Sequence, residues 1–96
     1  MNRMPTEPED LAVRRKRLRF RSWHRGLKEV DLILGRFADR HLDSLDAQEL
    51  DRFEALLEAS DVDIYAWYAG TREPPAELRT DVWARLKAFV AHDGGA

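Results

Sequence analysis

Apolar residues recur at three- and four-residue spacing along most of this chain, the period of helices that bury one face. The clearest run is Leu27, Val30, Ile33, Leu34, Phe37 and Ala38, which predicts a core-facing amphipathic helix after an interruption at Gly26. Upstream, Leu11 to Trp23 consists mostly of good helix formers but offers only Leu11, Leu18, Phe20 and Trp23 as large apolar side chains. A first helix with a thin buried stripe follows. Gly35 falls inside the second helix, off its Leu34 and Phe37 face, where glycine costs up to about 1 kcal/mol relative to alanine. His41 to Leu45 reads as a turn. Asp46, with Glu49 three residues on, is an acidic capping box ahead of Leu50, Phe53, Leu56 and Leu57, so the third helix starts near Asp46. Ser60 and Asp61 cap a short fourth helix that carries Ile64, Tyr65, Trp67 and Tyr68 and ends at Gly70. Pro74 and Pro75 set a loop and a helix start, from which Leu78, Val82, Leu86, Phe89 and Val90 mark a fifth helix, with Gly94 and Gly95 beyond it. No stretch alternates with period two and the loops are short, so the expected fold is all-α, a small antiparallel five-helix bundle. Ile33, Leu34, Phe37, Phe53, Leu57, Leu86 and Phe89 are its expected core.

At 96 residues the chain fits one domain, and folding buries only about 60 to 65% of the surface the unfolded chain exposes. We place the helical domain at residues 11–92. Residues 1–10, with Pro5, Pro8, Glu7, Glu9 and Asp10, read as a disordered lead, and residues 93–96 as a flexible tail. The lead has neither a secretory apolar region nor the acid-poor pattern of a transit peptide. No apolar stretch approaches the ~20 residues that span a bilayer. Cysteine is absent, which removes disulfides, thiolate metal sites and thiol nucleophiles. A cytoplasmic setting without a membrane partner is the default expectation.

Charge adds an asymmetry. Residues 14–25 hold seven basic groups (Arg14, Arg15, Lys16, Arg17, Arg19, Arg21 and Arg25) and no acid, whereas residues 26–96 hold eight basic and fifteen acidic groups. Three readings of the basic run stay open. It is a nucleic-acid patch, since clustered cations neutralise phosphates; or a solvated helix complementing the acidic remainder of its own fold; or a face for an acidic protein partner. A helix-turn-helix requires a polar recognition helix, and the second helix offers Val30, Ile33, Leu34, Glu29 and Asp31 instead. His24, His41 and His92 lie far apart and lack metal-ligand spacing. There is no Ser-His-Asp order, phosphate loop or dinucleotide fingerprint, so the expectation is a binding protein without a metal, a cofactor or catalysis of its own.

The sharpest local feature is Arg25-Gly26-Leu27-Lys28-Glu29. If Gly26 opens the second helix, Arg25 and Glu29 share a face and flank bare backbone that a partner can approach closely. Alone, R-G-x-x-E occurs by chance in about 2% of chains of this length, so the pentapeptide carries little by itself. It is accompanied by Asp31, Phe37, Leu42-Asp43-Ser44-Leu45, Phe53 to Glu58, Asp61-Val62-Asp63-Ile64-Tyr65-Ala66-Trp67 and Pro74-Pro75. Together, from about Arg14 to Phe89, these segments resemble the FAD assembly factors of succinate dehydrogenase, the SdhE type in bacteria and assembly factor 2 in mitochondria. At Trp23-His24 the chain departs from many relatives, and no role is carried onto that pair. The resemblance implies a five-helix protein, monomeric when free, that binds the flavoprotein subunit of succinate dehydrogenase or fumarate reductase and promotes its covalent attachment of FAD. The FAD belongs to the client. The partner-binding residues implied are Arg21, Arg25, Gly26, Glu29, Asp31 and Trp67, with Gly26 allowing close contact and Arg25 and Glu29 pairing with client groups. The alternative is a small nucleic-acid-binding or other helical adaptor that uses segment 14–25.

Overall fold

The computed structural model describes residues 10–89. Five α-helices run in order: α1 (Leu11–Trp23), α2 (Lys28–His41), α3 (Ala47–Leu57), α4 (Asp61–Ala69) and α5 (Asp81–Phe89). Two single 3-10 turns, Leu42–Ser44 and Ala76–Leu78, complete the regular structure, and there is no strand among the described residues. Val90, His92 and the tail expected at 93–96 lie outside those residues, as does the expected lead except Asp10. That residue belongs to the domain, because its carboxylate accepts the Ala12 N–H at 2.9 Å and caps α1.

The helix starts follow the capping chemistry. At α3 the Asp46 carboxylate accepts the Glu49 N–H (2.8 Å) while the Glu49 carboxylate accepts the Asp46 N–H (2.9 Å). Ser60 Oγ accepts the Asp63 N–H at the start of α4, and Gly70 at φ +84° closes its end. Lys87 of α5 reaches the Trp67 and Tyr68 carbonyls in the last turn of α4. The start of α5 differs from expectation. Leu78 belongs to a separate 3-10 turn held by Arg79 on the Pro74 carbonyl, and the helix restarts after Thr80, whose Oγ1 accepts the Trp83 N–H.

α2 lies at the centre, packed on α1, α4 and α5, and α3 packs on α1 and α5. The seven expected core residues are all buried. Phe37 is the hub: its ring stacks on Phe53 (5.6 Å between centroids) and meets the Phe89 edge at 5.7 Å. α1 contributes only Leu18 and Ser22 to the interior, while Leu11 and Phe20 stay exposed. Its attachment therefore rests on a device the apolar pattern does not reveal. The Trp23 ring lies against the α2 backbone at Gly35, in space that a β-carbon would occupy, and its indole N–H donates to Asp39 at 3.3 Å.

Candidate partner-binding site

The α1–α2 connection is a tight turn, Arg25 to Leu27. Gly26 adopts φ +108°, a conformation L side chains rarely reach, so α2 opens at Lys28 and not at the glycine. Asp31, in the first turn of α2, folds back and accepts the Arg25 backbone N–H at 2.6 Å. Leu27 has no side-chain oxygen to cap α2, and the acidic first turn of Glu29 and Asp31 supplies the negative charge a helix start favours.

Arg25 does not pair with Glu29. Its guanidinium turns inward onto the α3–α4 junction, where Nε donates to Asp61 (2.9 Å), Nη1 to the Leu57 carbonyl (2.6 Å) and Nη2 to the Ala59 carbonyl (2.6 Å). With 12% of its side chain exposed, Arg25 is a clasp between three segments. The client pairing expected of Arg25 would have to compete with these internal bonds, one from each guanidinium nitrogen, to two carbonyls at the end of α3 and a carboxylate at the start of α4. What the turn leaves exposed is Gly26, Leu27, Lys28 and Glu29. Gly26 abuts Asp61 of α4, so the exposed backbone sits on a braced support.

Two other expected contacts lie elsewhere. Trp67 is 5% exposed and meets the Trp83 ring edge-on at 6.5 Å, so it packs as part of the core. Arg21 points at α3, donating to Glu54 (3.3 Å) and Glu58 (2.9 Å).

The arginines in the rest of the basic run are spent in the same way. Arg14 pairs with Asp51 (2.6 Å) and Glu54 (3.0 Å), Arg17 with Glu54 (3.2 Å), and Arg19 with Asp39 (3.2 Å) and Asp43 (3.4 Å). Arg15 donates to the Leu42 and Leu45 carbonyls. Burial works to raise the Glu54 carboxyl, but the hydrogen bonds and charges of Arg14 and Arg17 outweigh it and hold the group below its ordinary value. Burial likewise works to lower the Arg14 guanidinium, and Asp51 and Glu54 push it above its ordinary value. The cations of α1 thus complement the acids of their own fold, which favours the second of the three readings of segment 14–25. No cluster of ligating side chains suited to a metal ion occurs among the described residues, and none of their helices is long and apolar enough to cross a membrane.

Periodicity does not reveal the Arg25 clasp or the Trp23–Gly35 contact, because each joins residues distant in sequence. The one available signal is Gly35 itself, a glycine kept inside a helix at an energetic cost.

The family described as flavinator of succinate dehydrogenase matches residues 16–90. The chain is 37% identical over 78 residues to a protein of Acetobacter pasteurianus named FAD assembly factor SdhE, covering 81% of this chain and 72% of that one. It is 39% identical over 88 residues to succinate dehydrogenase assembly factor 2-A, mitochondrial, of Drosophila mojavensis, covering 90% of this chain and 55% of that protein. To succinate dehydrogenase assembly factor 2, mitochondrial, of Komagataella phaffii it is 37% identical over 93 residues, covering 93% and 48%. The chain therefore spans about half the length of these mitochondrial relatives. A match over most of the five-helix domain, including the Arg25 turn and the α3–α4 junction that braces it, places the chain in the flavinator of succinate dehydrogenase family.

Proposed function

We propose that this protein is an assembly factor that binds the flavoprotein subunit of succinate dehydrogenase and promotes its covalent flavinylation. The observation that carries the reading is the braced turn. Gly26 presents bare backbone with Leu27, Lys28 and Glu29 exposed beside it, while Arg25 and Asp31 lock the turn from behind. A braced turn with bare backbone at Gly26 suits close approach by a partner, and pre-organisation reduces the ordering cost of binding. Arg25 serves the interface by shaping it, whereas Gly26 and Glu29 make the contact. The same surface extends to a fumarate reductase flavoprotein, if that is the client the cell provides.

The chemistry stays with the client, whose own histidine attacks the flavin, and FAD is bound there. This chain contributes binding energy to the client arrangement in which that attack occurs. Favouring the arrangement by about 2.8 kcal/mol raises its odds roughly a hundredfold. The factor need not be an enzyme to have a large effect on rate.

The test is in-gel flavin fluorescence of the flavoprotein subunit in cells lacking this protein, with and without a restored copy. Covalent flavin should fall on loss and return on restoration. Unchanged flavinylation on loss, together with no binding of the purified chain to the apo-flavoprotein subunit, overturns the proposal. Mixed with FAD alone at micromolar concentration, the chain should leave flavin fluorescence unaltered; quenching would make it a cofactor carrier.

A further inference from the structure

Between α2 and α4 lies a shallow groove of about 180 Å³, lined by Glu29, Leu32, Ile33, Arg36, Tyr65 and Tyr68. Its floor is apolar and its two ends on α2 are oppositely charged. Tyr65 is 42% exposed, and Val62, on the preceding turn of α4, is 72% exposed. Apolar side chains left in water around a trough are what a partner's apolar face covers. Glu29 and Arg36 stand seven residues apart on α2, two helical turns or about 10.5 Å along its axis. Among the described residues neither is held by a hydrogen bond or ion pair, whereas Arg14, Arg19, Arg21 and Arg25 are each paired with acids of the same fold.

We propose that this groove receives an amphipathic helix of the client flavoprotein subunit. A basic side chain of that helix meets Glu29, an acidic one two turns away meets Arg36, and apolar side chains between them lie on Leu32, Tyr65 and Tyr68. The identity of the client rests on the function proposed above; the shape and charge order of the docking segment rest on the groove. A helix laid along α2 presents its residues i and i+7 at the same rise of about 10.5 Å as Glu29 and Arg36, and anchors at i, i+3, i+4 and i+7 are how helices seat in apolar grooves. The Glu29 end adjoins the Gly26 turn, so the turn and the groove form one continuous contact. The tyrosines suit such a face, offering broad rings with few rotatable bonds.

The experiment measures, by calorimetry, binding of the full-length apo-flavoprotein subunit to the wild-type chain and to four variants: Glu29→Arg, Arg36→Glu, the exchange pair Glu29→Arg with Arg36→Glu, and Lys16→Glu as a remote control. Thermal melts accompany each, and because Glu29, Arg36 and Lys16 are exposed the variants should stay folded. We expect the single reversals and the exchange pair each to weaken binding about tenfold or more, since each juxtaposes like charges, while Lys16→Glu changes it little. Wild-type binding that Arg36→Glu leaves intact overturns the groove and leaves the proposed function standing, because Arg36 lies outside the Gly26 turn. Absence of wild-type binding overturns both. If sedimentation shows a wild-type dimer that the exchange pair disperses, while client binding is unchanged, the occupant is a second copy of this chain and the proposal fails.

Discussion

At Arg25 three hydrogen bonds tie the α1–α2 turn to the end of α3 and the start of α4. The R-G-x-x-E spacing suggests a pair of exposed side chains, and of the two only Glu29 is exposed. Arg25→Ala removes three hydrogen bonds from a cation with 12% of its side chain exposed and leaves the Leu57 and Ala59 carbonyls without this donor. The expected loss is about 2 kcal/mol, or roughly 10 °C in Tm for a domain of this size, read by a thermal melt. An unchanged melt would show that the clasp does not hold the fold. Gly26 also affects stability. Its φ of +108° makes any β-carbon costly even though the nearest atom such a carbon would meet, Asp61 Oδ2, is 3.9 Å away. Gly26→Ala should therefore destabilise by about 1 to 3 kcal/mol, measured by urea unfolding. Gly26→Glu adds a carboxylate beside Asp61, so its effects on folding and on binding cannot be separated. Glu29 is exposed and has no ion pair among the described residues, so a substitution there should leave the melt unchanged and report the proposed binding.

At the scale of elements, α1 is held by one aromatic contact as much as by a stripe. Helix propensity says Gly35→Ala stabilises α2, because alanine is the better helix former by about 1 kcal/mol. The structure reverses the sign, since the new methyl would overlap the Trp23 ring that lies on the helix backbone. We expect Gly35→Ala to cost about 1 to 3 kcal/mol in the native chain and to become neutral or stabilising in a Trp23→Ala background. Equal effects in both backgrounds, from denaturant unfolding of the four proteins, would rule out the contact. Propensity and packing give opposite answers here, and packing prevails because the overlapping atoms belong to a rigid ring. By contrast, the capping box at Asp46 and Glu49 behaves as local rules require, and Asp46→Ala should cost about 1 kcal/mol in the same assay.

Over the whole molecule, charge complementarity sets the pH dependence. Glu54 has its carboxyl held below the ordinary value because Arg14 and Arg17 outweigh burial; Arg72 does the same at Asp63, and Arg52 at Asp81, by hydrogen bonding. A carboxyl depressed in the folded state binds its proton later than in the unfolded state, so the unfolded chain carries more protons through the interval between the two values. The stability these groups contribute is therefore complete above the ordinary carboxylate range, near pH 4 to 5, and is lost as pH falls through the lower folded values. Melts from pH 7 down to pH 2.5 should show a flat upper limb and a falling lower one. Glu54→Gln should lower the upper limb and flatten part of the decline. A Glu54→Gln curve parallel to the wild type would show that α1 is not held to α3 through this carboxylate. Added salt should weaken the same network, as screening acts on half-exposed pairs.

Helix identity, caps and core came from information local to a few turns. Apolar spacing along α2, α3 and α5, the Asp46 and Ser60 caps and the Gly70 stop depend on neighbours three or four residues away, so the sequence by itself determined an all-α chain with Phe37 and Phe53 inside. It also contained the family signature around Arg25. Where the long polar side chains go depends on how the helices pack. Arg25 reaches Asp61 and the end of α3, Arg21 reaches Glu54 and Glu58, and Trp67 turns to Trp83, each choice made by an element brought close only on folding. The start of α5 was settled the same way, with Leu78 left in its own turn. A flexible charged side chain has many partners within reach of the unfolded chain, and its sequence position names none of them. Packing of the helices selects one, and with it which charges of the Arg25 region face the core and which remain exposed.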